Sequence, residues 1–316
     1  MTRIIILHDV VPDDAREDQL DNLYQAELVE TAIKALDYTY LGRFAVDLDF
    51  KKLENILDEL RPDIVFNLVE SINNSDQLAY TVPAFLQAKG IRFTGASFEA
   101  LMLSANKVSA KQIMKANNIL TADSSFTKSA NKYIIKSITE HASFGIDDSA
   151  VVHVSSQTEL DSLVESRSRL IGSQCFAEVY IDGREFSVHM IDGKPLCVSE
   201  MVFNFPAEKP KIANYKSKWD FDSFEYNNMT PTSFEFTKED GSLARALEPI
   251  AIQCWKVFNL TGYARIDFRV DASNTAYVLE INANNGIPKD VEFGECIRHI
   301  GKTYNWAIDK IIKCAL

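Results

Sequence analysis

Near the carboxyl end two carboxylates are spaced for a shared task. The runs Gly262-Tyr263-Ala264-Arg265-Ile266-Asp267-Phe268-Arg269-Val270 and Ala276-Tyr277-Val278-Leu279-Glu280-Ile281-Asn282 each alternate polar and apolar residues, with a polar break between them. They read as the two strands of an antiparallel hairpin. A turn centred between Ser273 and Asn274 sets Arg265 opposite Asn282 and Asp267 opposite Glu280, while Ile266 and Phe268 meet Ile281 and Leu279 on the other face. Like charges directly opposed across a ladder repel, so two carboxylates flanked by an amide and a guanidinium ask for a bound cation. Oxygen ligands suit magnesium, which keeps several waters and shares its sphere with substrate phosphates. Hairpin geometry alone leaves a second arrangement equally open, a solvated polar face on which Arg265 pairs with Asp267.

The elements that must position this hairpin are legible in outline. Residues 3–8 form a buried strand, residues 20–36 carry apolar side chains at helical spacing, and residues 64–69 form a second strand. A helix over 78–88 ends at Lys89-Gly90, with Ile91-Arg92-Phe93 beyond it, so the first hundred residues read as an open α/β lobe. Ligands of such lobes gather at the carboxyl ends of the strands, here residues 9–14 and 70–76, both acidic and polar. Leu243, Leu247, Ile250, Cys254 and Phe258 mark a helix that Gly262 is placed to stop. The division expected is 1–100, an N-terminal α/β lobe; 101–180, a small mixed lobe; and 181–316, a larger lobe carrying the hairpin.

Composition narrows the classes of partner. A chain of 316 residues with net charge -12 has no basic face for nucleic acid, so any phosphate site must be a local cluster of lysines. No apolar stretch approaches the roughly 20 residues of a membrane span. Five cysteines, Cys175, Cys197, Cys254, Cys296 and Cys314, give an odd count with no Cys-x-x-Cys pair, and residues 1–7 read as a strand rather than a signal peptide, which fits a reducing cytoplasm. His8, His141, His153, His189 and His299 lack zinc spacing and read as structural. Neither Gly-x-x-x-x-Gly-Lys-Ser/Thr nor Gly-x-Gly-x-x-Gly occurs, so a nucleotide would have to be held without either phosphate loop.

Arg-x-Asp-Phe followed by Leu-Glu-x-Asn and Gly286 resembles the metal-binding end of the ATP-grasp ligases, in particular the D-alanine-D-alanine ligase family. Other segments fall in that family's order: Thr94-Gly95-Ala96-Ser97 with Asn106-Lys107, Tyr133-Ile134-Ile135-Lys136 with Ala142-Ser143-Phe144-Gly145-Ile146, Glu178-Val179-Tyr180-Ile181-Asp182-Gly183-Arg184-Glu185, and Asn214-Tyr215-Lys216-Ser217-Lys218-Trp219. The resemblance implies an α/β fold, α+β in its C-terminal part, in which two lobes clasp ATP beside the N-terminal lobe. It implies Lys107 and Lys136 on the α and β phosphates, backbone amides of Ser143, Phe144 and Gly145 covering the phosphates, and Glu178 and Glu185 on adenine and ribose. Val179, Tyr180 and Ile181 would run beneath the base, with Leu279 also in the nucleotide site. Lys218 would take the γ-phosphate, Arg265 would steady charge during transfer, and Gly286 would stabilise an oxyanion. Asp267, Glu280 and Asn282 would hold magnesium or manganese, two ions in the family's usual form. Physically, lysine ammoniums act as point charges on phosphate and loop amides as a small anion nest. As ordinary residues, Lys107 and Lys136 would be surface lysines, Glu178 and Glu185 exposed acids of a hairpin, and residues 211–218 a solvated loop.

The implied chemistry is an ADP-forming ligation. A carboxylate attacks the γ-phosphate to give an acyl phosphate, which an amine then displaces. The substrates are small carboxylates and amines, amino acids or peptides, and a homodimer is expected. Departures gather in the amino-acid half. The family's N-terminal Gly-Gly-x-Ser stretch with its glutamate is replaced by Val10-Val11-Pro12-Asp13-Asp14, its His-Gly pair by Val69-Glu70, the tyrosine after the γ-phosphate lysine by Trp219, and a serine near the second carboxylate by Val291, with Lys289 close by. Asp13, Asp14, Glu70 and Asp76 are the acids nearest the expected amine site. The reading is therefore a relative of the ligase with an altered amino-acid site. An authentic D-alanine-D-alanine ligase and a non-catalytic nucleotide-binding protein of the same fold are the alternatives.

Overall fold

The structure is a computed structural model and describes residues 1–127, 132–140, 142–232 and 238–316. Three sheets follow one another along the chain. The first holds the parallel strands β1 (Arg3–Asp9), β2 (Thr39–Val46), β3 (Ile64–Asn67) and β4 (Arg92–Phe93) in the order β2-β1-β3-β4, crossed by α1 (Glu17–Ala35), α2 (Phe50–Leu60) and α3 (Thr81–Ala88). β1 is apolar on both faces because helices cover both. Ile5 and Leu7 pack with Leu53, Leu57 and Leu86, while Ile4 and Ile6 pack with Val29 and Ile33. The expected strands and helices of this lobe are present with shifted ends; β2 and α2 were not foreseen.

Next come α4 (Phe98–Ala105) and α5 (Lys107–Ala116), started by the Ser97 and Asn106 side chains, which accept from the Ala100 and Ser109 amides. The small sheet, order β6-β5-β7, comprises β5 (Lys132–Ser137), β6 (Val151–His153) and β7 (Cys175–Val179), with α6 (Gln157–Ile171) packed on it. The third sheet is antiparallel, order β10-β9-β8-β11-β12. It is built from β8 (Gly183–Ile191), β9 (Lys194–Phe203), β10 (Met229–Thr232), β11 (Tyr263–Asp271) and β12 (Ala276–Ala283). Short helices α7 (Tyr215–Trp219) and α8 (Phe224–Asn227) lie between β9 and β10, and α9 (Lys238–Val257) precedes β11. Its core, Phe186, Val188, Ile266, Phe268 and Val278, is closed by α9 and also by Ala100, Ala110 and Met114 of α4 and α5. The final helices, α10 (Glu292–His299) and α11 (Tyr304–Lys313), return to the first lobe, where Ile297, Ile308 and Ile311 meet Ile4 and Ile6. Among the described residues no helix is long and apolar enough to cross a membrane.

Two expectations are corrected here. Gly262 does not stop α9: Asn259 does, in a left-handed conformation (φ 50°), with the Leu260 amide returning to the Trp255 carbonyl at 2.9 Å. Gly262 instead permits a close crossing, since a Cβ there would lie 2.5 Å from the Cα of Gly95. The cysteines are not all free. Cys197 on β9 and Cys296 on α10 form a disulfide across 99 residues, a pairing their spacing does not signal; Cys175, Cys254 and Cys314 are free.

Candidate active site

The register of the third sheet builds the site. β11 pairs with β8 on one side and β12 on the other, which lines up Glu185 with Arg269, Ser187 with Asp267 and Glu280, and His189 with Arg265 and Asn282. The intervening residues Phe186, Val188, Ile266 and Phe268 point into the core at 0% exposure, so every polar residue of these rows faces the opposite side. The expected pairs Arg265 with Asn282 and Asp267 with Glu280 are both present. Beyond them a bulge pairs Phe268 with Val278, correcting the expected contact with Leu279. The bulge turns Leu279 out of the core and into the wall of the cleft that lies over this face.

A cleft of about 910 Å³ lies over this face. Lys107, Lys136, Ser143, Phe144, Glu178, Val179, Tyr180, Ile181, Glu185, Lys218, Leu279, Arg265, Asp267, Glu280, Asn282 and Gly286 all border it, as do Glu70 and Asp76. Gly145, Asp13, Asp14 and Lys289 do not. Asp13 and Asp14 are exposed, and Lys289 enters the local structure through its carbonyl, which accepts from Arg298 Nη1 at 2.8 Å.

At one end of the cleft the lysines are already engaged. Lys107 donates to the Glu140 carbonyl at 2.7 Å and stands 3.9 Å from Glu280. Burial holds its ammonium below the ordinary value, against the pull of Glu280. Lys136 meets Glu178 at 2.7 Å; burial opposes its charge, and Glu178, Glu280 and Glu185 together more than restore it. Glu178 is 1% exposed, and although burial disfavours its charge, Lys111 and Lys136 keep its carboxyl below the usual range. It does not sit on a hairpin with Glu185, because β7 and β8 belong to different sheets and the chain between them crosses from one to the other. Glu185 pairs with Arg269 at 3.0 Å.

Glu140, Ala142, Ser143, Phe144 and Ile146 border the same cleft as these lysines. Ala142 and Ser143 both take left-handed backbones (φ 54° and 59°) and are held from the far wall: Trp219 Nε1 donates to the Ala142 carbonyl (3.3 Å) and Ser143 Oγ to the Ala213 carbonyl (2.8 Å). Arg16 of the first lobe lies over the Phe144 ring at 5.4 Å. Gly145 turns away, its carbonyl accepting from Arg167 Nη2 at 2.5 Å. Lys218 arrives on α7, whose first turn is capped by the Asn214 side chain. His141 lies outside the described residues.

The two arrangements left open for Asp267 coexist. It faces Glu280 across the ladder and also accepts from Arg265 Nε (2.7 Å) and Nη2 (2.9 Å), Ser187 Oγ (2.8 Å) and Asn282 Nδ2 (2.8 Å). Glu280 remains 34% exposed. Two carboxylates and an amide oxygen form a hard, all-oxygen donor set that fits magnesium or manganese. No group of three His, Cys, Asp or Glu side chains able to hold a metal occurs among the described residues, so such an ion would need phosphate oxygens and water to complete its shell. Gly286 borders the same end; a Cβ there would come no nearer than 3.7 Å to any protein atom, so the protein itself does not require the glycine.

At the other end the walls are acidic. Asp9 accepts from the Glu70 amide (2.8 Å), the Ser71 amide (3.0 Å) and Ser71 Oγ (2.9 Å); burial pushes its carboxyl up to about 6 against those hydrogen bonds. Asp21 is pushed up to about 6 by burial. Glu70 keeps its side chain open to the cleft, but enclosure there, with Asp9 beside it, pushes its carboxyl up to about 8. Gln25, buried on α1, donates to Glu70 Oε1 (2.9 Å) and accepts from the Ile287 amide (2.5 Å).

Comparison with known proteins agrees with this geometry. Residues 106–313 match the family model described as D-ala D-ala ligase C-terminus. The chain belongs to this family. It is an ATP-grasp enzyme of the ADP-forming carbon-nitrogen ligase class. A D-alanine–D-alanine ligase of Rickettsia canadensis is 28% identical over 306 residues, covering 93% of this chain and 79% of the relative, and a protein y4sG of Sinorhizobium fredii, described as uncharacterized, is 26% identical over 261 residues, covering 80% and 74%. Among solved structures, the Bacillus anthracis D-alanine–D-alanine ligase complexed with ATP superposes with a TM-score of 0.74 at 18% identity, covering 100% of this chain and 97% of that one. VanG, a D-Ala:D-Ser ligase of Enterococcus faecalis, gives 0.72 at 15% identity, covering 100% and 99%.

Several residues of this family member escaped the sequence reading. Lys111 lies one helical turn beyond Lys107, at 3% exposure, and meets Glu178 at 2.5 Å. Asp9, Asp21, Gln25 and Glu292 also border or brace the cleft. Glu292 stands 3.7 Å from Arg265 and 3.5 Å from His189, and Ser199 Oγ donates to it. One signal was present: Asn22 and Gln25 lie beside Ala26 and Val29 on the buried face of α1, and polar residues on a buried helix face need partners.

Proposed function

We propose that this ligase activates a carboxylate as an acyl phosphate and joins it to an amine, and that its amino-acid site takes a substrate with a cationic amine held by Glu70 rather than D-alanine. The observation that carries the reading is that one cleft is bordered both by Lys107, Lys136 and Lys218 and by the carboxylates Glu70, Asp9 and Asp21, with Asp76 close enough to act on both Glu70 and Lys107. Triphosphate and ammonium have opposite charges, and each end suits one of them.

In this reading Lys107 and Lys136 take the α and β phosphates, and the amides of Ser143, Phe144 and Gly145 cover them. Glu178 and Glu185 meet adenine and ribose, and Val179, Tyr180, Ile181 and Leu279 enclose the base. Asp267, Glu280 and Asn282 would hold magnesium, which would supply neutralisation of the phosphate charge. The substrate carboxylate attacks the γ-phosphorus and ADP leaves, with Lys218 and Arg265 offsetting the developing charge. The amine nitrogen then attacks the acyl carbon beside Gly286, the carbon-oxygen bond to phosphate breaks, and the amine gives up a proton. Lobes 1–100, 101–180 and 181–316 supply the amine, loop and metal sides respectively.

An ADP-release screen of the purified protein against amino acids, diamines and dipeptides, singly and in pairs, tests this reading. ADP formation should require an amine-bearing substrate other than D-alanine. A preference for D-alanine alone would overturn the amine assignment.

A further inference from the structure

Glu178 has one more lysine than its charge requires. Its two oxygens meet Lys136 at 2.7 Å and Lys111 at 2.5 Å in a pocket that leaves the carboxylate 1% exposed. The two cations differ in how they are held. Lys111, itself buried, also donates to Thr121 Oγ1 at 2.8 Å and to the Leu279 carbonyl at 3.4 Å, so each of its three N–H groups has an acceptor. Those acceptors are part of the frame: Thr121 in turn donates to the Val278 carbonyl (2.7 Å), beside the bulge of β12. Lys136 borders the cleft, and Glu178 is its one hydrogen-bond partner among the described residues.

A buried carboxylate that loses its only counter-ion is strongly disfavoured, the more so with phosphates arriving beside it. We propose that Lys111 is a positioning residue, a fixed counter-ion to Glu178 that frees Lys136 to leave Glu178 for the phosphates of the nucleotide. Two lysines on one carboxylate are thereby explained: one stays and one moves. Lys111 itself touches no nucleotide.

The proposal rests on the nucleotide reading of this cleft, and equilibrium binding of magnesium-ADP and of adenosine separates the two. If the wild-type protein binds no ADP, the nucleotide reading falls and the proposal falls with it. If it binds ADP, Lys111→Met should weaken ADP by about 10- to 100-fold more than adenosine, because Lys136 is then retained by Glu178. Lys111→Arg should lose much less. Adding Glu178→Gln to Lys111→Met removes the stranded charge and should return the ADP-to-adenosine ratio to that of Glu178→Gln alone. A Lys111 needed only for packing would weaken both ligands alike in Lys111→Met and would not be rescued; either result overturns the proposal. Should Lys111→Met fail to fold, the double variant, in which no buried carboxylate is stranded, decides. A ratio about tenfold below that of Glu178→Gln alone would overturn the counter-ion role.

Discussion

The two ends of the cleft solve opposite electrostatic problems. At the nucleotide end the charged groups meet partners within the protein: Lys136 with Glu178, Lys107 with the Glu140 carbonyl, Glu185 with Arg269, Asp267 with Arg265. At the acidic end burial pushes three carboxyls that border the cleft up, to about 6, 6 and 8 for Asp9, Asp21 and Glu70, while the charge of Asp76 acts on Glu70 and on Lys107 alike. The first end can exchange an internal partner for a ligand of the same sign. The second holds one carboxyl, that of Glu70, protonated near neutral pH, where a cation would restore its charge.

The strongest way to break this contrast is to remove charge from the row that both ends share. Asp267→Asn should lower ATP turnover by about 10²- to 10³-fold or more, since it removes a metal oxygen and the bidentate partner of Arg265. Its melting temperature should fall too, by the equivalent of about 1–3 kcal/mol, because Arg265 loses a buried partner. Glu280→Gln, at a more open side chain, should lose turnover with little change in melting. Equal melting losses in the two variants would show that the row is not organised as described.

Next in size is Glu70→Gln. The apparent KM of the amine substrate should rise about 10- to 100-fold while that of ATP stays nearly unchanged. A parallel rise in both would mean that the ends are not separate. The same residue sharpens the contrast through pH. Its folded value, about 8, lies above the ordinary 4.5, so between those values the unfolded chain has released a proton that the folded one keeps. Without substrate, the contribution of Glu70 to stability is full below pH 4.5 and is lost as pH rises towards 8. Thermal melts of Glu70→Gln should show a shallower decline over that window than wild type. Asp9 and Asp21, both raised, supply the decline that remains.

The smallest expected effect is in the segment 140–146. Amide exchange should slow there when magnesium and a non-hydrolysable ATP analogue are added, since Phe144 and Ala142 are already held by Arg16 and Trp219 and the proposed role of the amides of 143–145 is to cover the phosphates. Unchanged exchange would remove the covering role of Ser143 and Phe144.

The hairpin row of the cleft was legible because its residues lie in short local runs whose strand alternation fixes which side chains share a face. Arg265, Asp267, Glu280 and Asn282 follow from one turn and a period of two. What alternation could not give was the bulge at Leu279, which shifts the register by one residue and turns a core position into a cleft wall. The amine end was legible only in part because it is assembled from distant segments. Glu70 and Asp76 were found at a strand's carboxyl end, but the same rule also picked Asp13 and Asp14, which lie on the exposed side of their turn. Gln25 reaches Ile287 across 262 residues, and the Cys197–Cys296 pair spans 99; no local pattern encodes either. Lys111 was missed for another reason, since a lysine in a helix ordinarily reads as solvated surface.

The central claim is that a retained nucleotide end serves an altered amine end, and formation of D-alanyl-D-alanine tests it most directly. The wild-type protein and Glu70→Gln are incubated with magnesium-ATP and D-alanine, and the dipeptide and ADP are quantified together. The account predicts that wild-type protein releases little ADP with D-alanine, and clearly more when a different amine-bearing substrate is supplied, a gain that Glu70→Gln removes. Efficient D-alanyl-D-alanine synthesis by the wild type, undiminished in Glu70→Gln, would contradict it.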